Sequence, residues 1–141
     1  MDAVATGLYS RLSGDTTGGT SLAGLGMTAV YQGLAPQSAV YPYVVFQLAD
    51  GEDRRVLGAR ATIWQDWIVR AWDVGDSHKR AKRLADRIDA LLDEGEASLT
   101  VAGYTVLSVR RIRALPDTTE HDENQGLLYR ASGARYEVEV R

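Results

Sequence analysis

ARATIWQDWIVRAWD, from Ala59 to Asp73, decides the fold and contains all three tryptophans of the chain. Successive side chains of a β-strand point to opposite faces of its sheet, so this stretch divides into two sets. The alternation predicts a central strand with one core face and one face that is partly covered by another surface. The mostly apolar set is Ile63, Gln65, Trp67, Val69 and Ala71, and the mixed set is Thr62, Trp64, Asp66, Ile68, Arg70 and Trp72.

The composition indicates one globular domain spanning residues 1–141, of which 45% are hydrophobic. The formal net charge of -3 gives no reason to expect nucleic acid or an anionic membrane as the main partner. Cysteine is absent, which excludes disulfides, a thiolate nucleophile and cysteine-ligated metal clusters. No stretch approaches the roughly 20 apolar residues of a membrane span, so we expect a soluble protein made in the cytoplasm.

Hydrophobic spacing predicts a helix and two strands before the tryptophan segment. Apolar residues recur every four positions between Asp2 and Leu12, as in a short amphipathic helix. Met27–Tyr31 and Tyr43–Ala49 are rich in β-branched and aromatic residues and predict strands. The Asp50–Gly51 pair begins a charged stretch through Arg55, which predicts a hairpin turn that projects as an arm or loop.

The segment after the tryptophans carries the clearest helical pattern of the chain. Asp76 or Ser77 is the expected N-cap, a continuous apolar stripe follows, and Gly95 ends the helix. Leu99–Val101 and Tyr104–Arg113 predict a further strand region.

The last third of the sequence predicts a polar loop from Pro116 to Gly126 and a closing strand from Leu127 to Arg141. The apolar positions of this strand are odd-numbered before Ser132 and even-numbered after Gly133. A bulge between them would keep both apolar sets on the same face, because one extra residue flips the alternation.

These elements predict an α+β fold in the order α-β-β-β-α-β-β, with two helices packed on one face of a four- or five-stranded, mainly antiparallel sheet. Two helices cover one face only, so the other stays open. That face would expose more aromatic surface than soluble monomers usually do, and a closed ring of copies covers it most economically. The candidate subunit-interface residues are Trp64, Ile68, Arg70 and Trp72.

The polar loop is the main candidate for chemistry. Asp117 with Glu120, His121, Asp122 and Glu123 resembles a divalent-metal site or a general base with an orienting carboxylate. The spacing fits no EF-hand, and His121 lacks a histidine partner at metal-binding spacing. We therefore expect a solvated loop, with no catalytic residue, metal or cofactor. The charged residues are instead candidates for docking loops: Asp53, Arg54, Arg55, Glu120, His121, Asp122 and Glu123.

The order of several segments resembles the tail terminator, or tail-completion, family of long-tailed bacteriophages and gene transfer agents. The resemblance spans nearly the whole chain and includes no catalytic signature. The segments that carry it are LYSRLSGD, AVYQGLAP, YPYVVFQ, IVRAWD, HKRAKRLADRIDALLD and LLYRASGARYEVEV.

This resemblance implies a structural virion protein of the tail or neck, assembled in the bacterial host cytoplasm. Such a protein forms a ring, usually a hexamer, on the head-proximal end of the tail tube, where it stops polymerisation and presents the head-joining surface. Its partners would be its own copies, the tail tube protein and a head connector or neck protein, with DNA passing unread through the channel. The alternatives are another head-completion protein of the neck, or a small metal-dependent enzyme that uses residues 117–123.

Overall fold

The computed structural model describes the backbone of residues 2–56 and 59–141, and the side chains of this part apart from residues 52–61. This part contains two helices and six strands in the order α-β-β-β-α-β-β-β, one strand more than the sequence predicts. The elements are α1 (Ala3–Ser13), β1 (Val30–Gln32), β2 (Tyr43–Val56), β3 (Ala59–Val74), α2 (Lys79–Leu92), β4 (Val106–Ala114), β5 (Thr118–Asp122) and β6 (Leu127–Val140).

The tryptophan strand β3 lies in the middle of the sheet, as predicted. The strand order is β1-β2-β3-β6-β4, and β5 pairs with β6. All pairs are antiparallel except β1 with β2, which are parallel. The α+β class and the mainly antiparallel sheet are therefore confirmed, but the sheet is mixed and has six strands.

One face of the sheet forms the core with both helices. Trp67 is 1% exposed and packs against Phe46, with their ring centroids 5.7 Å apart. Its indole N–H donates a hydrogen bond to Gln65, and the Tyr136 hydroxyl donates to Asp89 of α2. These contacts confirm that the odd-numbered set of β3 faces the helices.

Each helix begins beside a short polar side chain that accepts a hydrogen bond from a backbone N–H group of the first turn. The Asp2 carboxylate accepts from the N–H of Val4 at 2.7 Å and caps α1. The hydroxyl of Ser77 accepts from the N–H of Lys79 at 3.1 Å, although the N-cap position itself is His78. No helix in the described part of the chain is long and apolar enough to cross a membrane.

The predicted turn at Asp50–Arg55 is wrong, because β2 continues to Val56 and stays paired with β3. The register shifts at Leu48/Asp50, where the strand accommodates the polar segment by a bulge or similar irregularity. Backbone pairing with a neighbouring strand thus overrides the weak strand propensity of this segment.

The predicted loop from Pro116 to Gly126 is also wrong in part. Thr118–Asp122 form β5 and pair with Leu127–Ala131 of β6, so only a short turn remains. The first strand prediction also exceeds the observed element, since β1 begins at Val30. Leu99 and Val101 belong to no strand and are buried against the core from a loop.

The predicted bulge across Ser132 and Gly133 is wrong. The register of β3 and β6 runs without a shift from Ile63 opposite Val140 to Val74 opposite Tyr129. The change of phase in β6 therefore moves its apolar side chains from one face of the sheet to the other.

Candidate interaction surface

The open face of the sheet contains a concave site that we call the aromatic groove. Its volume is about 380 Å³, within the range of pockets that hold a ligand or anchor side chains. Strands β2 and β3 form the floor, and the segment after β1 forms one wall. The lining residues are Gly33, Leu34, Ala35, Tyr41, Tyr43, Val45, Gln47, Ile68, Arg70, Trp72, Glu120 and Tyr129.

Three tyrosine rings build one side of the aromatic groove. Tyr41 stacks on Tyr129 with ring centroids 5.5 Å apart and lies 4.8 Å from Tyr43. Burial raises the pKa of the Tyr41 phenol above its ordinary value, and that ordinary value already leaves a tyrosine hydroxyl protonated at neutral pH. The groove therefore offers aromatic surface with neutral hydroxyl groups, a combination common in protein interfaces.

The change of phase in β6 explains why this end of the open face is apolar. Ala131 lies opposite Trp72, and Tyr129 lies opposite Val74, so all four belong to the open face. The next apolar residues of β6, from Ala134 onward, face the helices and are buried. The first half of β6 thus contributes apolar side chains to the open face, and its second half contributes apolar side chains to the core.

Arg70 is the cation of the aromatic groove. It lies opposite Val45 of β2 and Gly133 of β6. A Cβ atom on Gly133 would lie 2.9 Å from Cγ of Arg70, so the glycine leaves room for the arginine side chain. Within the described part of the chain, the Arg70 guanidinium forms no hydrogen bond or ion pair, which leaves it available to an outside anion.

Beside the groove, the open face carries two ion pairs with buried carboxylates. Arg135 binds Asp66 with N–O distances of 2.6 and 2.8 Å, and Arg110 lies 2.9 Å from Glu137. Asp66 is 3% exposed and Glu137 is 6% exposed, although no helix covers this face. Neighbouring side chains of the same subunit thus bury the carboxylates of both ion pairs.

The structure brings together four of the predicted site residues. Ile68, Arg70 and Trp72 line the aromatic groove, and Glu120 joins them from β5. Trp64 lies on the same face of β3, beyond Asp66, and does not line the groove. Whether any of them contacts a neighbouring subunit stays a prediction.

The other docking candidates occupy different positions. His121 lies opposite Leu128 of β6 and is exposed. Because neighbouring side chains of a strand point to opposite faces, the side chains of His121 and Glu120 point away from each other. The Asp122 carboxylate accepts hydrogen bonds from the backbone N–H groups of Asn124 and Gln125. These bonds stabilise the β5–β6 turn, which begins at Glu123. The side chains of Asp53, Arg54 and Arg55 lie outside the described residues.

The acidic segment does not assemble as a metal site. The Asp117 carboxylate forms an ion pair of 3.1 Å with the Lys82 ammonium group, which places this carboxylate beside α2. Among the residues that the structure describes, no three His, Asp or Glu side chains form a group able to hold a metal ion.

Sequence reasoning missed the tyrosines of the groove. Tyr41 precedes β2 and Tyr129 comes from β6, and only the sheet brings them together. The one signal available in the sequence was the odd-numbered apolar set of β6, which marks Tyr129 as a residue of the open face.

Comparison with known proteins supports the resemblance seen in the sequence. A family model described as "Tail completion protein gp17" matches residues 6–132. The fold is similar to a chain of a structure titled "Virion of native gene transfer agent (GTA) particle", with a TM-score of 0.62 and 20% identity over 97% of this chain and 98% of that chain. A second solved chain has a TM-score of 0.50 and 16% identity over 96% of this chain and 93% of that one. Curated protein sequences give no match.

Proposed function

Because the chain belongs to the tail completion protein gp17 family, we propose that it is the tail terminator of a phage-type particle. Members of the family are structural proteins of virions, so the protein belongs to the tail or neck and assembles in the bacterial host cytoplasm. In this role it forms a ring, a hexamer in our proposal, on the head-proximal end of the tail tube. The ring stops tube polymerisation and presents the surface that joins the head.

The observation that carries the proposal, beyond family membership, is the open face of the sheet. Both helices pack on the opposite face, and the open face presents the aromatic groove. Tryptophan, tyrosine and arginine are the residue types that contribute most to binding energy in protein interfaces, and Trp72, Tyr43 and Arg70 lie together here. A neighbouring subunit that covers this face would bury the exposed aromatic surface.

The mechanism is steric. Each subunit uses the open face, including Trp64, Ile68, Arg70 and Trp72, to contact its neighbours, and uses its two ends to contact the tube and the head connector. A closed ring satisfies all subunit contacts, so growth ends when the ring has formed. DNA passes through the ring without sequence reading, which agrees with a net charge of -3.

A second candidate is another head-completion protein of the neck, because neither the family match nor the open face distinguishes the two sides of the head–tail joint. The enzyme hypothesis has weaker support, since Glu120 and His121 diverge and Asp117 is bound to Lys82. The two structural candidates differ in the partner that they bind first.

Tube assembly in vitro tests the proposal. Purified protein should form a ring by size-exclusion chromatography with light scattering and by electron microscopy. Added to polymerising tail tube protein, it should bind one end and shorten the tubes in proportion to its concentration. Trp72→Ala should weaken both effects, whereas Tyr9→Ala, which alters an exposed aromatic residue of α1, should leave them unchanged.

Two results would count against the terminator. Unchanged tube length together with binding to head connectors would favour the head-completion role. A monomer at high concentration, both alone and with tube protein, would argue against any ring.

A further inference from the structure

The β2–β3 hairpin extends beyond the rest of the sheet. Strand β1 is paired with β2 only as far as Phe46. Strand β6 is paired with β3 only from Ile63 onward. Within the described part, Arg54–Val56 and Ala59–Thr62 therefore pair with each other alone. We call the described residues 50–56 and 59–62 the hairpin arm. A two-stranded hairpin without other neighbours is at best marginally stable in water, so the arm needs a surface to pack on.

The hairpin arm and the aromatic groove lie at opposite ends of the same hairpin. Tyr43 and Trp72 form the pair at the groove end, whereas Val56 and Ala59 form the last described pair at the other end. Ala59 and Trp72 lie thirteen positions apart along β3, a distance of roughly 40 Å at about 3.3 Å per residue. A subunit cannot fold its arm back into its own groove without breaking this strand, so an arm that fills the groove comes from another chain.

The chemistry of the arm complements that of the groove. The groove combines aromatic walls with one cation, Arg70, and one anion, Glu120. In sequence, the arm carries an acidic run, then Arg54 and Arg55, then apolar residues at 56 and 57. Apolar side chains suit the aromatic walls, and each charge of the groove has an opposite charge in the arm.

From this placement we propose that the hairpin arm of one subunit binds in the aromatic groove of a second copy. The inference rests on the proposed ring, because it names the element that fills the groove at the subunit contact. The contact joins two different surfaces, so it is head-to-tail and repeats from copy to copy until the ring closes. Arg70 is the residue that recognises the acidic part of the arm.

Cysteine cross-linking tests the inference directly, because the natural chain has no cysteine. Val56→Cys places a thiol in the arm, and Gln47→Cys places one in the groove. Mixed and oxidised, the two variants should form a disulfide-linked heterodimer in a yield about tenfold above that of Val56→Cys with Tyr9→Cys, whose thiol lies on the helix side. Adding Arg70→Glu to the groove variant should lower the yield about tenfold, since it repels the acids of the arm. Arg83→Glu, on the exposed side of α2, should not change it.

A shortened arm separates this inference from the proposed function. Replacing residues 54–62 with Asn-Gly joins Asp53 to Ile63, which are paired in the sheet, through a two-residue hairpin turn. This variant should stay folded by circular dichroism and lose self-association by at least about tenfold in concentration. A ring that forms normally with the shortened arm, or a cross-linking yield between Val56→Cys and Gln47→Cys no higher than that of the Tyr9→Cys control, would overturn the arm-in-groove contact and leave the terminator proposal intact. A wild-type chain that stays monomeric with and without tail tube protein would overturn both.

Discussion

Arg70 extends along the open face over Gly133 of the neighbouring strand, and the glycine has no side chain to occupy that space. A Cβ atom at position 133 would lie 2.8 Å from Cα of Arg70 and would collide with the carbonyl oxygen of Val69. The closeness of β3 and β6 at this point therefore depends on the glycine. It also sets the position of the cation in the aromatic groove.

Gly133→Ala should destabilise the protein by roughly 2 to 3 kcal/mol, because the added methyl group has to push the two strands apart. Urea unfolding measures the change. Gly19→Ala is the matched control, since a Cβ there meets no atom within 4 Å, and it should change stability by less than about 0.5 kcal/mol. Equal effects of the two substitutions would show that the strands have room at position 133.

Trp67→Ala and Trp72→Ala should have different consequences although both remove an indole from β3. Trp67 is 1% exposed in the core, so its loss should cost about 3 to 5 kcal/mol of unfolding free energy. Trp72 is half-buried in the groove, so its loss should weaken self-association more than it lowers monomer stability. Trp64→Ala should behave like Trp72→Ala. Urea unfolding of the monomer and light scattering separate the two effects, and the reverse ranking would contradict the assignment of the faces.

Asp66→Ala should cost roughly 3 kcal/mol, the low end for breaking a buried ion pair, because the Arg135 side chain keeps about a quarter of its surface exposed. A double variant, Asp66→Leu with Arg135→Met, should recover most of the loss, since neither charge is then left without its partner. A double-mutant cycle that compares Asp66→Leu, Arg135→Met and the double variant by urea unfolding gives the coupling energy. Lys82→Met breaks the more exposed pair with Asp117 and should cost less than about 1 kcal/mol. Additive effects at Asp66 and Arg135 would contradict the pairing.

The ion pair between Asp15 and Arg87 should make stability depend on pH in the acid range. Two hydrogen bonds of 2.8 Å from Arg87 lower the pKa of the Asp15 carboxyl below its ordinary value, and the N–H of Leu22 adds to the effect. The folded-state pKa therefore lies below the unfolded value of about 3.9, so the contribution is complete above that pH and is lost as the pH falls through the folded-state pKa.

Asp15→Asn should accordingly lower the urea midpoint at pH 7, and the difference from the wild type should shrink as the pH falls below about 4. Asp86→Asn, which alters an exposed carboxylate of α2, should show little difference at either pH. A deficit of Asp15→Asn that is the same at pH 7 and pH 3 would mean that the charge on Asp15 does not stabilise the fold.

Strong local periodicity made several elements predictable. The alternation through Trp67 predicted a central strand with a core face, and the apolar stripe of α2 predicted the helix that covers it. Both patterns arise from burial on one face, which the positions of the residues along the chain already encode. The N-cap of α1 at Asp2 likewise needs only contacts within one turn.

The polar segments were predicted wrongly because their strand structure comes from the partner strand. Thr118–Asp122 have no apolar alternation, yet they pair with β6, and Asp50–Val56 continue β2 because β3 lies beside them. Pairing with the neighbouring strand of the hairpin satisfies backbone hydrogen bonds whatever the side chains are. Propensity alone does not contain this information.

The sequence by itself determined the α+β class, the two faces of β3 and the family resemblance, because each depends on spacing within continuous segments. Only the tertiary structure decided the surface that these faces form. The change of phase in β6 is visible in the sequence, but its meaning depends on an uninterrupted register with β3, which carries Tyr129 to the open face beside Tyr41. The aromatic groove joins residues from four strands and the segment that connects β1 to β2, and only the pairing of the strands brings Arg70, Trp72 and Tyr129 to one place.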